Sequence, residues 1–476
     1  MRPSTARHDP GTDTPPAPSH APRPGPIGAP PSSADRGPSP DSRPEGAMPA
    51  RFPLDVSDLS ALDDDVPGAV GRLLDDLLAE RAEQAAALDP VFARDLAERV
   101  RRFTLDGGKR MRPRFVWWAL RACGGGPAEA EGALRLGAAL ELIQTCALIH
   151  DDVMDGSALR RGRPALHADV TAQYAGAVSA AHGPRFGEAA AILAGDLALA
   201  WADDVVAATE APAATSRTVR EVWSAMRTEM VAGQYLDVQG QATSSRSLAR
   251  AVRAACLKSA LYSVERPLAL GAALAGADSA RTGALCSAGR CVGIAFQLRD
   301  DLLDAFGGDR RTGKPAGGDI RTGRPTYLMA VARARAEADR DRGALAVLNR
   351  SVGRADLPDS GLAEVRDVLV GVGARDVVEA KIERLVAQGM RHLDSAVLDP
   401  VARRRLVGLF HATAGTSPAA PPTPAAPAAP TAPAPTAPWG DPAGPWDGPA
   451  APDDGVPPPP DGGLSVPLLL TEGAPR

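Results

Sequence analysis

Between residues 51 and 412 apolar side chains return every three or four positions, and runs that alternate apolar with polar residues are missing. Leu, Ala, Arg and Glu dominate these segments, and all four favour helix over strand. The stretches 69–103, 129–155, 187–209, 217–241, 247–275, 281–306, 324–350 and 375–395 read as helices, broken at clusters such as Gly124–Pro127 and Gly307–Gly308. This pattern predicts an all-α, single-domain helical bundle of about ten helices, without an internal repeat.

Proline sets the edges of that bundle. Residues 1–50 hold 14 of the 46 prolines and residues 411–476 hold 19. Both ends are short of Ile, Leu and Val, so they bury too little apolar surface to offset the entropy of folding. We read 1–50 and 413–476 as disordered Pro-rich tails flanking a domain over 51–412. Met48 stands just before the folded-looking sequence as an alternative start.

Charge and composition exclude several classes. The 53 Lys and Arg against 58 Asp and Glu leave a net charge of −5, so no global field favours nucleic acid. Aromatic residues make up only 4%, too few for a base-stacking platform. Five cysteines without a CxxC pair argue against a disulfide framework or zinc cage and fit a reducing cytoplasm. No run approaches the 18 or more apolar residues of a membrane span, and no apolar signal segment follows the basic N-terminus. The expectation is a cytoplasmic protein with no integral membrane segment.

Two aspartate clusters carry the chemistry. The first, His150-Asp151-Asp152-Val153-Met154-Asp155, ends an apolar run, and helical geometry puts Asp151 and Asp155 on one face with Asp152 about 100° away. Like charges four residues apart repel, so a bare helix is weakened unless cations sit between them. Taken alone, such a cluster reads more readily as a solvated acidic helix end. A second copy, Asp300-Asp301-Leu302-Leu303-Asp304, follows Phe296-Gln297-Leu298-Arg299 and lies 149 residues further on. Two such helices can face each other across a cavity of an antiparallel bundle, where the carboxylates demand divalent metal. His150 has no partner cluster of histidines and reads as structural.

Lysine usage points the same way. Only Lys109, Lys258, Lys314 and Lys381 occur, so nearly every base is Arg. Lys109 lies in Gly107-Gly108-Lys109-Arg110-Met111-Arg112-Pro113, Lys258 opens Lys258-Ser259-Ala260, and Lys314 sits in a Gly-rich run ending at Asp319. An ammonium beside glycine suits a phosphate, because backbone N–H groups can then approach the anion. Lys381 reads as an ordinary exposed helix residue. The bland alternative is four chance survivors of a Lys-poor composition.

Taken in order, GGKRMRP (107–113), LIHDDVMDGSALRRGRP (148–164), GQYLD (233–237), KSA (258–260), FQLRDDLLD (296–304) and GKPAGGDIRTGRPT (313–326) resemble the trans-isoprenyl diphosphate synthases of the polyprenyl synthetase family, over roughly 65–410. The resemblance implies an all-α bundle around a central cavity and a catalytic set of Asp151, Asp152, Asp155, Asp300, Asp301, Asp304, Lys258 and Gln297. It implies three Mg²⁺ ions, with Mn²⁺ as a substitute: two on Asp151 and Asp155 with Asp152 nearby, and one on Asp300 supported by Asp304. Arg160, Lys258 with Ser259, Lys314 and Gln297 would hold the allylic diphosphate (dimethylallyl, geranyl or farnesyl). Gly108, Lys109, Arg112 and Arg161 would hold isopentenyl diphosphate. The family also implies a homodimer.

Two positions depart from the family pattern. Where short-chain members often carry His, this chain has Gln144, which can still donate to a phosphate oxygen. Where the last motif usually carries Lys, it has Arg324, which keeps the charge but leaves the role open. By resemblance, Cys146 and Ala147 lie at the floor of the hydrocarbon pocket. Both are small, which favours a C20 product, geranylgeranyl diphosphate, over farnesyl or longer-chain products; they also read as small residues at a helix crossing. A class I terpene cyclase would lack GGKR, and a non-catalytic subunit would tend to lose the aspartates.

Overall fold

Small residues at helix crossings set the architecture. The computed structural model describes residues 58–179, 181–243, 248–307 and 316–417. Nearly all of these residues are helical, as the periodicity predicts. Both proline-rich ends, apart from 413–417, and Lys314 lie outside the described residues. The last helix, Pro400–Ala414, runs past the expected edge at 412 and buries Thr413 and Ala414.

Two long helices carry the aspartates. The first aspartate helix, Pro127–Met154, packs on Gly183–Ala207 and on Met111–Ala122. The second, Ser279–Phe306, packs on Ala374–Asp394 and on the stretch Cys256–Glu265. The first is long and apolar enough, by length and composition alone, to cross a membrane, contrary to the expectation that no segment reaches that threshold. Alanine and leucine raise its mean hydropathy, and 78% of its most apolar window is buried inside the fold, so these features describe a core helix equally well.

Several runs are subdivided more finely than the apolar pattern indicates. The run 69–103 breaks at Asp89-Pro90, where Asp89 caps the next turn through Val91 N and Phe92 N. The run 324–350 breaks between Ala338 and Arg342. Of the run 247–275, the stretch Leu248–Leu274 is helical and widens to a π-helix over Cys256–Glu265. Two glycines grip that wide turn. A Cβ on Gly233, from the helix Ala213–Ala242, would lie 2.3 Å from the backbone N of Lys258. A Cβ on Gly293 would lie 2.4 Å from the carbonyl of Ala260. Glu265, buried at the end of the π turn, accepts two bonds from Arg290 at 2.7 and 2.8 Å.

Lys381 is a correction. It belongs to the buried stripe of Ala374–Asp394 with Val378, Ile382, Leu385 and Gly389, and is only 6% exposed. Its helix position follows the core period, which residue type alone does not disclose.

Candidate active site

Helical geometry sorts each aspartate motif into residues that line a cleft and one residue that is buried. Gln144, Ala147, Leu148, Asp151 and Asp155 keep partial exposure along one face of the first aspartate helix, whereas Asp152 is fully buried. In the second helix Gln297, Asp300 and Asp304 remain accessible, and Asp301 is buried.

The buried aspartates hold neighbouring side chains. Asp152 accepts two bonds from Arg160 Nε, at 2.9 and 3.1 Å, and Arg160 Nη2 also reaches Asp151 at 3.3 Å. Asp301 accepts from Gln297 Nε2 at 2.9 Å. Burial raises the Asp301 carboxyl well above the usual range, Asp319 and Asp300 add to the rise, and the Gln297 bond opposes it.

Arg160 and the next residue are turned apart by a two-residue hairpin, the only strand pairing among the described residues. Leu159 pairs with Pro164 and Arg160 with Arg163. Arg161 and Gly162 take φ of 53° and 74°, the positive values of a type I′ turn. Arg161 therefore leaves Arg160 at the aspartates and lies over the Phe103 ring, 5.6 Å from its centroid. It also closes on the GGKR loop, where a Cβ on Gly107 would meet its Nη1 at 2.6 Å. Gly108 adopts φ 58°, and Lys109 is exposed beside it.

Lys258 leaves the π turn to bridge Asp151 and Asp237, at 2.9 Å from each. Burial would raise the Asp151 carboxyl, but Lys258 foremost, then Arg324 and Arg160, hold it down at about 2. Asp155 moves up instead, through burial and the charge of Asp151. Ser259 follows Lys258 with partial exposure.

Arg324 resolves the departure noted in the sequence. Its guanidinium reaches Asp155 at 3.0 Å, Asp237 at 3.5 Å and Asp319 at 3.4 Å. The backbone N–H of Asp319 in turn donates to Asp304 at 2.9 Å. The two motifs thus face one cleft, linked from Asp155 through Arg324 and Asp319 to Asp304. On the second wall, burial pushes Asp300 up to about 6, with Asp304 adding to the rise and Lys109 and Arg112 opposing it. Water reaches Asp300 although protein surrounds it on most sides, as expected for a carboxylate lining a cavity.

Gln234, Asp237 and Asp319 are site residues that the motif reading did not single out. Gln234 Nε2 donates to Asp151 at 3.3 Å. Gln234 and Asp237 lie inside GQYLD and Asp319 inside GGD, so the signal was present without an assigned role. Of the expected residues, Cys146 points elsewhere, and His150 makes structural contacts in line with its reading from sequence. Cys146 is buried with its Sγ 3.7 Å from His150 Nδ1, and His150 Nε2 lies 3.0 Å from the carbonyl of Ile192. Of the two pocket-floor candidates, Ala147 alone shares the partly exposed face.

Among the described residues no three metal-ligating side chains converge on one point. The carboxylates stand singly and in pairs, partly neutralised by Arg160, Lys258 and Arg324. Such a donor set suits a hard cation that completes its shell with phosphate oxygens and water.

Comparison with known proteins agrees with this geometry. The chain is 33% identical over 306 residues to the farnesyl diphosphate synthase of Geobacillus stearothermophilus, covering 62% of this chain and 91% of that protein. It is 32% identical over 253 residues to the geranylgeranyl diphosphate synthase of Methanosarcina mazei, covering 52% and 71%. A crystal structure of the Corynebacterium glutamicum geranylgeranyl pyrophosphate synthase, complexed with isoprenyl diphosphate and magnesium, superposes with a TM-score of 0.69. Its sequence identity is 36%, and the match covers 76% of this chain and 99% of that one. The model for the polyprenyl synthetase family matches residues 94–356. With its paired aspartate motifs on one helical cleft and a match of that extent, the chain belongs to the polyprenyl synthetase family.

Proposed function

We propose that this prenyltransferase condenses isopentenyl diphosphate with an allylic diphosphate to give geranylgeranyl diphosphate. One observation carries the reading. Asp155 and Asp304, from motifs far apart in sequence, are joined across a single cleft by Arg324 and Asp319. A diphosphate between those walls meets Lys258, Arg160 and Arg324 from the protein, with Gln297 held at its rim by Asp301. Asp151, Asp155, Asp300 and Asp304 are the residues that would hold Mg²⁺, three ions in this reading, with Mn²⁺ able to replace them. When bound, the cations neutralise charge growing on the leaving diphosphate. Lys314 belongs to the same reading, although it lies outside the described residues.

The reaction needs no protein nucleophile. The allylic C–O bond breaks, the isopentenyl double bond attacks the resulting allylic cation, and a proton leaves to the released pyrophosphate. The protein contributes charge arranged in advance and reactants held in register. Asp152 acts by holding Arg160, and Asp301 by holding Gln297. Gly108, Lys109, Arg112, Gln144 and Arg161 form the isopentenyl diphosphate side. The hydrocarbon tail runs past Ala147, whose small side chain supports C20 over C15.

A homodimer is part of this proposal, supported by exposed Phe186, Ile192 and Leu193 on the helix Gly183–Ala207. So is a cytoplasmic location, supported by five unpaired cysteines, and so is the division into a catalytic segment, 51–412, between two proline-rich ends. The test is incubation of the purified chain with Mg²⁺, labelled isopentenyl diphosphate and the C5, C10 or C15 primer, followed by identification of the dephosphorylated alcohol. Geranylgeraniol from all three is expected. Absence of elongation overturns the reading, and a product fixed at C15 overturns the assigned length.

A further inference from the structure

The π turn does more than carry Lys258. Lys258 and Tyr262, four residues apart on that turn, contact Asp151 and Gln144, which lie seven residues apart on the first aspartate helix. Seven residues are about two helical turns, so both contacts fall on one face. One wide turn therefore spans the pocket from the aspartates to the GGKR side.

We propose that Tyr262 is a positioning residue for isopentenyl diphosphate, holding Gln144 and Arg112 in the orientation that receives its diphosphate. The inference rests on the assignment of Lys109, Arg112, Gln144 and Arg161 to that substrate.

Tyr262 is 3% exposed, and its hydroxyl donates to Gln144 Oε1 at 2.8 Å. An amide has one accepting and one donating end. With Oε1 committed to a buried phenol, the NH₂ end is turned away from Tyr262 and keeps two donors for an anion. Without that bond the amide can reverse, and a carbonyl oxygen facing a diphosphate repels it. The bond thus gives glutamine a fixed donor face toward the diphosphate, a polarity that an unpartnered amide lacks.

The same ring orients Arg112. Its guanidinium carbon lies 4.3 Å from the Tyr262 centroid, and its Nη2 donates to Ser263 Oγ at 2.9 Å. Stacking fixes the plane of the guanidinium, and the serine fixes its rotation in that plane. Glu141, buried one turn before Gln144, feels the charges of Arg112, Arg110 and Arg161, which places these bases on the same side of the pocket. Lys109 and Arg112 likewise act on Asp300 across the cleft.

Steady-state kinetics of Tyr262→Phe, with each substrate varied in turn, test the proposal. Loss of one hydrogen bond that orients a charged contact is expected to raise KM for isopentenyl diphosphate about tenfold. KM for the allylic primer should stay within about twofold, because Lys258 and its aspartates are untouched. Tyr262→Leu, which also removes the stacking face, should raise KM for isopentenyl diphosphate further. Gln144→His in the Tyr262→Phe background should restore much of the loss, since an imidazolium beside a diphosphate donates from both ring nitrogens and has no accepting end to turn toward the anion. Circular dichroism and the unfolding midpoint of each variant check that it folds. If Tyr262→Phe leaves KM for isopentenyl diphosphate unchanged, or raises both KM values equally, the proposal fails. A wild-type chain that does not consume isopentenyl diphosphate sinks the functional reading itself, a separate and distinguishable result.

Discussion

Gly233→Ala gives a direct test of how Lys258 is aimed. The new Cβ would sit 2.3 Å from the backbone N of Lys258, 2.8 Å from its Cα and 2.9 Å from the carbonyl carbon of Leu257. All three obstacles are backbone, so no side chain can rotate away. Restoring van der Waals contact near 3.5 Å requires the two helices to part by about 1 Å. Lys258 Nζ stands 2.9 Å from both Asp151 and Asp237, so a shift of that size breaks one or both bonds. Overpacking at such a crossing costs about 1–3 kcal/mol of stability, and a misplacement of about 1 Å at a catalytic group costs on the order of 100-fold in rate. Denaturant unfolding and elongation of a fixed allylic primer, measured on the same preparation, read both effects. A Gly233→Ala enzyme with a wild-type midpoint and near-wild-type turnover would refute the idea that this close approach aims the lysine.

Three further outcomes follow from the same geometry. Ala147→Phe should shorten the product toward C15 or C10 while elongation continues; unchanged chain length by mass spectrometry removes Ala147 from the floor. Asp152→Ala leaves the largely enclosed Arg160 guanidinium with only its longer contact to Asp151, and should cost about 3 kcal/mol in chemical denaturation, against a negligible change if the pair is idle. Asp300→Asn should stabilise the protein at pH 8 in the absence of divalent cations. The folded carboxyl titrates at about 6 against a reference of 3.8, so its charged form opposes folding. Because water reaches Asp300, we discount the gain to about 1 kcal/mol; it shrinks as pH falls through 6, vanishes below about 4, and a pH-independent gain contradicts it.

Much of this was legible in the sequence because it is local. The 3.6-residue period exposes helices, and the same period places Asp151 with Asp155 and sets Asp152 aside. What was not legible depends on distant contacts. The π turn at Cys256–Glu265 lies where Gly233 and Gly293 allow two helices to close on it, and no residue within the turn announces it. Arg161 adopts a positive φ in a hairpin whose strands are only two residues each, too short for a strand pattern. Arg324 kept the charge of the usual lysine but had no legible role, because its bond to Asp155 spans 169 residues of sequence and links both walls. Lys381 misled for the converse reason, since residue type is a poor guide to burial when the helix phase runs through it.

The arrangement of charges also implies that metal and diphosphate bind as a coupled pair. Asp151, Asp155 and Asp237 are already engaged by Lys258, Arg160 and Arg324, so an incoming cation meets carboxylates whose nearest neighbours are positive. A diphosphate changes both sides of that balance. Its oxygens draw the bases away from the aspartates and supply ligands that the protein does not bring to a point. Metal and diphosphate should therefore bind with strong positive coupling, each raising the affinity of the other by the same factor. Titration calorimetry with Mg²⁺ alone, pyrophosphate alone, and each in the presence of the other measures that factor. Weak binding of Mg²⁺ alone, strengthened at least tenfold by pyrophosphate, is expected. Tight binding of Mg²⁺ to the free protein would mean that Lys258 and Arg324 do not hold the aspartates as placed, and the electrostatic account of the cleft would have to be rebuilt.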